Sequence, residues 1–295
     1  MRASGIEWRA LVLSLCAASL LGWGVFSGAT PGMAEVFLVG AAAAVAACVA
    51  AVLVGAPRLG RAGLAVVAAV VCLVALAALS LTWSIAPDRS WDAVNLGLAS
   101  LAFLVLGALV SAAGGRWGAR VTLVAISAVV VAALVWALAG VVVPALFPEG
   151  DRIARLREPL GHAPALSLLA GALLPVAGSL LTQRPVARSL GTLLAYGAVV
   201  TVMLTQSRAG VIASVVVVAL WAALAGEPIL RIARLLPAVV PAVVVGALAF
   251  TQSALVEDGS ARADREDAGV LFAIVALVGA AIAVGLELRL PVERI

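Results

Sequence analysis

Ten stretches of this chain run for 15 to 26 residues without one Asp, Glu, Arg or His. They lie at residues 10–26, 36–54, 64–81, 93–113, 121–146, 163–181, 190–204, 211–225, 235–250 and 268–286. A hydrocarbon core about 30 Å thick is crossed by roughly 17 to 25 apolar residues in helical form, so each stretch is a candidate membrane span. Composition excludes the alternative of a water-soluble globule. Of the 295 residues, 64% are hydrophobic and 12% charged, with a mean hydropathy of +1.20, whereas soluble domains carry about 25% charged residues. The polar surface needed to cover a core of that size is not there. The sequence therefore predicts an all-α fold: a polytopic transmembrane helix bundle, treated as a single transmembrane domain over residues 1–295.

Loop charge orients the bundle. In one alternate set of loops and termini fall twelve of the 19 Arg and only four acids, a balance of +8. The other set holds seven Arg against eleven acids, a balance of −4. Cytoplasmic loops are the Arg-rich ones, so ten spans with both termini inside (N-in/C-in) are expected. The first span is read as a retained helix rather than a cleaved signal peptide, since nine more follow it. Pro175, Pro237 and Pro241 within the runs predict kinks, not breaks. The chain has no Lys, and its basic residues sit in short loops rather than along one face, which argues against nucleic acid as a partner. Cys16, Cys48 and Cys72 all lie in apolar runs, and no disulfide framework or metal site follows from them.

Because the apolar runs contain no ionisable group, they offer no proton or ion relay, which counts against a secondary transporter. Chemistry is expected instead at a membrane face, and the extracytoplasmic loops are the richer ones. Arg208 is the sharpest feature there. It is the only charged residue between Arg188 and Glu227 and sits in the turn Thr205-Gln206-Ser207-Arg208-Ala209-Gly210. A guanidinium so close to hydrocarbon either snorkels to lipid head groups or grips an anion, for which its planar fork suits a phosphate and an adjacent helix N-terminus adds amides. A second cluster, Arg152, Arg155, Arg157, Glu158 and His162, puts three Arg on the side where Arg is scarce. The readings are an anion site or a solvated loop balanced by Glu149, Asp151 and Glu158. His162 is the only His and a candidate base with no visible partner. The segment Glu257 to Asp267 reads as a solvated acidic connector whose spacing fits no cation-loop motif, and Trp83 and Trp91 as interfacial anchors.

Three segments taken together resemble the O-antigen ligase and polymerase family of bacterial envelope glycan assembly. They are Leu81-Thr82-Trp83-Ser84-Ile85-Ala86-Pro87-Asp88-Arg89-Ser90-Trp91, Arg155-Leu156-Arg157-Glu158-Pro159-Leu160-Gly161-His162 running into Ala165-Leu166, and Leu204-Thr205-Gln206-Ser207-Arg208-Ala209-Gly210. The resemblance covers about residues 75–225. It implies a multi-pass protein of the bacterial inner membrane with a GT-C-like arrangement. It further implies metal-free, cofactor-free transfer of a glycan from a polyprenyl-diphosphate carrier to an acceptor hydroxyl. Arg208 matches the family's Ser-Arg turn and is thereby implied as the catalytic contact to the donor diphosphate; Arg155 or Arg157 is implied as an assisting group.

The chain departs from the pattern in two places. Pro164-Ala165-Leu166-Ser167 stands where the family reads Asn-Ala-Leu-Gly, and the long extracytoplasmic loop with further Arg and a His base has no counterpart. His162 does not align with that base. The departures lead to the expectation of a truncated or split member, inactive alone, which binds the carrier within membrane lipid and takes the missing loop from a partner subunit. The alternative is a non-enzymatic membrane partner or lipid-carrier flippase component.

Overall fold

The computed structural model describes residues 3–27, 33–55, 60–146 and 154–290, and among them every regular element is helical. The chain forms α1 (Ala3–Phe26), α2 (Met33–Val54), α3 (Arg61–Ser80), α4 (Pro87–Val142), a short 3-10 turn (Pro144–Leu146), α5 (Ala163–Leu180), α6 (Pro185–Leu204), α7 (Arg208–Leu224), α8 (Pro228–Phe250), the single turn α9 (Ser253–Val256) and α10 (Arg262–Arg289). Proline opens α5, α6 and α8 in the first turn, where its missing N–H costs nothing. Beyond that first turn, α5 continues through Pro175 and α8 through Pro237 and Pro241.

Nine segments among the described residues are long and apolar enough to cross a membrane. Two of them, Pro87–Val110 and Gly115–Val142, are the halves of α4. They are joined at Gly115, whose φ of 53° and ψ of −137° lie in a region that only glycine occupies at low cost. The tenth apolar run is α7, with 17 residues, about 25 Å at 1.5 Å per residue and so at the short end for a span. Large apolar side chains stand on the outside, such as Leu73 at 66% and Leu277 at 72% exposed, and none of the apolar window of α3 is buried. This is the inverse of a soluble protein and fits a multi-pass membrane protein.

The chain separates into two compact units, residues 1–129 and 130–295. In the first, Leu13 and Ala17 of α1, Ala47 and Ala50 of α2, and Leu106, Leu109 and Val110 of α4 form a buried cluster. The Ser14 and Thr122 hydroxyls meet there at 2.9 Å.

In the second unit, small residues set the order. Ser167 of α5 meets Gly210 of α7, Gly171 meets Ser214, and Gly178 takes the Trp221 ring, each glycine with no room for a methyl group. The constant offset of 43 residues means that α5 and α7 run parallel, with their backbones close enough for small-residue packing. Gly246 of α8 likewise packs on Met203 of α6, so α6 and α8 end together. In α10 the direction is reversed, with Gly279 against Tyr196 and the Tyr196 hydroxyl donating to the Ala276 carbonyl at 2.7 Å.

Candidate functional site

One end of the second unit therefore collects the starts of α5, α7 and α10 and the ends of α6 and α8. The turn Thr205-Gln206-Ser207 joins α6 to α7, with Gln206 in the left-handed region at φ 50°. Ser207 is the N-cap of α7; its hydroxyl accepts from the Gly210 amide at 3.1 Å. Arg208 is consequently the first residue of the helix. It is exposed and makes no side-chain hydrogen bond or ion pair among the described residues. A cation at the positive end of a helix dipole is electrostatically misplaced unless an anion joins it.

The segment before α5 is bound to this turn. Its Leu156 amide donates to the Leu204 carbonyl, the last residue of α6, at 3.1 Å, and its Ala154 amide donates to the Asp258 carboxylate in the connector after α9. Arg155 and Arg157 are thus held beside the end of α6. Arg155 is exposed; Arg157 is partly buried, with its Nε 3.6 Å from Glu158 Oε1. His162 is the N-cap residue of α5, exposed, with its ring making no hydrogen bond among the described residues. The structure brings Arg155, Arg157, His162 and Arg208 to one end of the unit. Arg152, Glu149 and Asp151 lie outside the described residues.

Two features of this unit, both in the helical flanks of the apolar runs, were not visible from the runs themselves. First, α6 starts five residues before its apolar run and α10 extends past its run at both ends, because a helix continues through charged flanks whose charges are met. Arg188 of α6 and Glu287 of α10 are 7% and 3% exposed. Arg188 donates to Glu287 Oε1 through Nε at 2.9 Å and Nη2 at 2.7 Å, and its Nη2 also reaches the Glu287 and Leu290 carbonyls. The guanidinium so closes the C-terminus of α10.

Second, Arg265 is only 9% exposed, its Nε has no partner, and it makes no ion pair among the described residues. It was expected in a solvated connector, and Arg262 does behave that way, pairing on the surface with Glu266 at 2.7 Å. Arg265 instead shares the inner face of α10 with Ala268, Gly269, Phe272, Gly279, Ala283 and Glu287. That stripe of spacings 3, 4 and 7 was the available signal. From the level where Gly279 faces Tyr196, Arg265 is fourteen residues along α10 and Leu204 eight along α6. Counting helical rise, Arg265 lies about 9 Å beyond the level of the end of α6, at the end of the unit that holds the 205–207 turn. An apolar crevice of about 230 Å3, lined among others by Val245, Leu248, Leu255, Leu271 and Phe272, opens between α8, α9 and α10 at this same end.

What this end offers an anion is the Arg208 guanidinium, which has no partner among the described residues, and the buried Arg265, whose Nε has none, with the carboxylates of the α9–α10 connector close by. No group of three or more His, Cys, Asp or Glu comes together among the described residues. No family model matches the chain, and neither a curated protein nor a solved structure matches it.

Proposed function

We propose that the chain is an O-antigen ligase/polymerase-like glycosyltransferase of the bacterial inner membrane, with both termini in the cytoplasm and a GT-C-like bundle. It acts on polyprenyl-diphosphate-linked glycans at the extracytoplasmic face. The observation that carries the reading is Arg208 itself, which opens α7 beside the start of α5 and has no anionic partner among the described residues. Cleavage of a sugar from a polyprenyl diphosphate builds negative charge on the leaving diphosphate, and fixed donors in a water-poor site stabilise that charge without reorganising. Arg208 grips the diphosphate, Arg155 or Arg157 assists from the segment tied to Leu204, and Arg265 approaches from α10. The carrier's hydrocarbon lies along the crevice between α8 and α10. Charge distribution supports the orientation: Arg184, Arg231, Arg234 and Arg289 flank the opposite end of the same helices.

A second reading, a carrier-binding partner or flippase component without transfer chemistry, is favoured by His162, which has no group to orient it as a base among the described residues. The two are separated by the purified chain in proteoliposomes. Both readings require saturable binding of a polyprenyl diphosphate that Arg208→Ala weakens at least tenfold, the loss of one charge-assisted contact. Binding indifferent to that substitution overturns both. Transfer of labelled glycan to an acceptor, abolished by the same change, supports the enzyme; binding without transfer supports the partner.

A further inference from the structure

The first unit holds a different kind of site. A crevice of about 190 Å3 opens between the end of α1, the start of α2 and the first half of α4, lined by Val39, Leu96 and Phe103 together with three polar side chains, Glu35, Ser27 and Ser100. Its width is set by Gly40, whose Cα lies so near α4 that a Cβ would stand 2.7 Å from the Ala99 methyl. Every polar group it presents is an acceptor. Ser100 spends its proton on the Leu96 carbonyl at 2.8 Å and Ser27 on the Gly24 carbonyl at 3.4 Å, which leaves lone pairs for the crevice. Glu35 Oε2 is shielded from solvent and has no hydrogen-bond partner among the described residues. No basic side chain lines the crevice among the described residues.

Glu35 is part exposed as a residue, but a carboxylate oxygen shielded from water without a partner costs free energy, and a cation that also donates hydrogen bonds relieves that cost. A divalent metal needs six or more oxygens or an octahedral shell. One carboxylate and two hydroxyls are too few, and the apolar walls would strip the ion's water. An ammonium on a short hydrocarbon arm fits each feature: the charge meets Glu35, its N–H groups meet the serine lone pairs, and the arm lies on Val39 and Leu96. Phe103 also lines the crevice, and an aromatic ring there suits a cation. The space exceeds the 150 Å3 or so that takes up benzene.

We propose that this crevice binds a small organic ammonium, with Glu35 as its counterion. The site is independent of the donor-rich end of the second unit. Titration calorimetry of the purified full chain with n-butylammonium tests it, with n-butanol as the neutral probe of the same shape. Saturable one-to-one binding of the amine, with the alcohol at least tenfold weaker, is expected. Glu35→Gln, which keeps the shape, is expected to erase that preference, and Ser100→Leu, which fills the far wall with Glu35 intact, to abolish binding of both probes. Absence of saturable amine binding, equal affinity for amine and alcohol, or unchanged preference in a folded Glu35→Gln protein overturns the proposal. If Glu35→Gln lowers the melting temperature below the assay temperature, the amine-to-alcohol ratio of the unaltered chain and the Ser100→Leu titration decide alone.

Discussion

The buried guanidinium groups of the second unit differ in one respect that determines what each does: whether a carboxylate is present. Arg188 has Glu287 and two carbonyls; Arg265, almost as deep, has none among the described residues. Removing one partner of a buried pair strands the other charge, so Arg188→Ala is expected to destabilise the protein by about 3–5 kcal/mol, whereas Arg188→Met with Glu287→Met is expected to be near neutral. Reversible unfolding in mixed micelles measures both, and equal losses in the single and double variants would contradict the pairing. For Arg265 the sign is opposite. Arg265→Met relieves a desolvation penalty in the free protein, so it is expected to raise the melting temperature without ligand and to reduce the further rise produced by pyrophosphate or a polyprenyl diphosphate. A drop in the ligand-free melting temperature would show that Arg265 has an internal partner. Arg208 was legible in the sequence because isolation in an apolar context makes a charge conspicuous. Arg265 was not, because it hides in a run of seven charged residues between Glu257 and Asp267, most of which are solvated; only the helical register of α10 sets it apart.

Along the elements, the apolar runs marked the existence of the helices well and their ends poorly. Hydropathy reports which residues lipid can surround, but a helix stops where its backbone finds a cap, and the two differ by a turn or more at α6 and α10. Ser207 shows the second rule: its hydroxyl takes up the Gly210 amide, and Ser207→Ala is expected to cost about 1 kcal/mol and to fray the turn that presents Arg208. The parallel seam of α5 and α7 had no hydropathy signature, since Ser167, Gly171, Gly210 and Ser214 are neither charged nor strongly apolar. Ser167 is the residue that stands against Gly210 in that seam. A methyl on Gly210 runs into the Ser167 side chain, so Gly210→Ala is expected to cost about 1–3 kcal/mol by overpacking. Adding Ser167→Gly returns the space, and the double variant is expected to recover most of the loss. A double-mutant cycle without such coupling would mean that the two helices part instead of pressing on that contact.

For the whole molecule, membrane character followed from composition alone, while the meeting of Arg155, Arg157 and Arg208 at one end depends on hydrogen bonds that no sequence pattern encodes, Leu156 to Leu204 above all. Orientation links that end to its chemistry. The proposed function needs the start of α7 to face outward and the α5–α6 turn inward, since its donor would be met on the extracytoplasmic side. The two positions are well placed to be told apart. Ala209 and Gln183 are both exposed, they stand at opposite ends of the parallel α5 and α7, and neither carries the chemistry under test. In a chain whose Cys16, Cys48 and Cys72 are replaced by Ala, Ala209→Cys is expected to react with a membrane-impermeant maleimide in intact cells. Gln183→Cys is expected to react only after the membrane is opened. The reverse pattern would turn the Arg-rich end outward against the charge asymmetry of the loops and place Arg208 in the cytoplasm, where it could not meet that donor. Labelling of both in intact cells would mean that α6, the helix between them, does not cross.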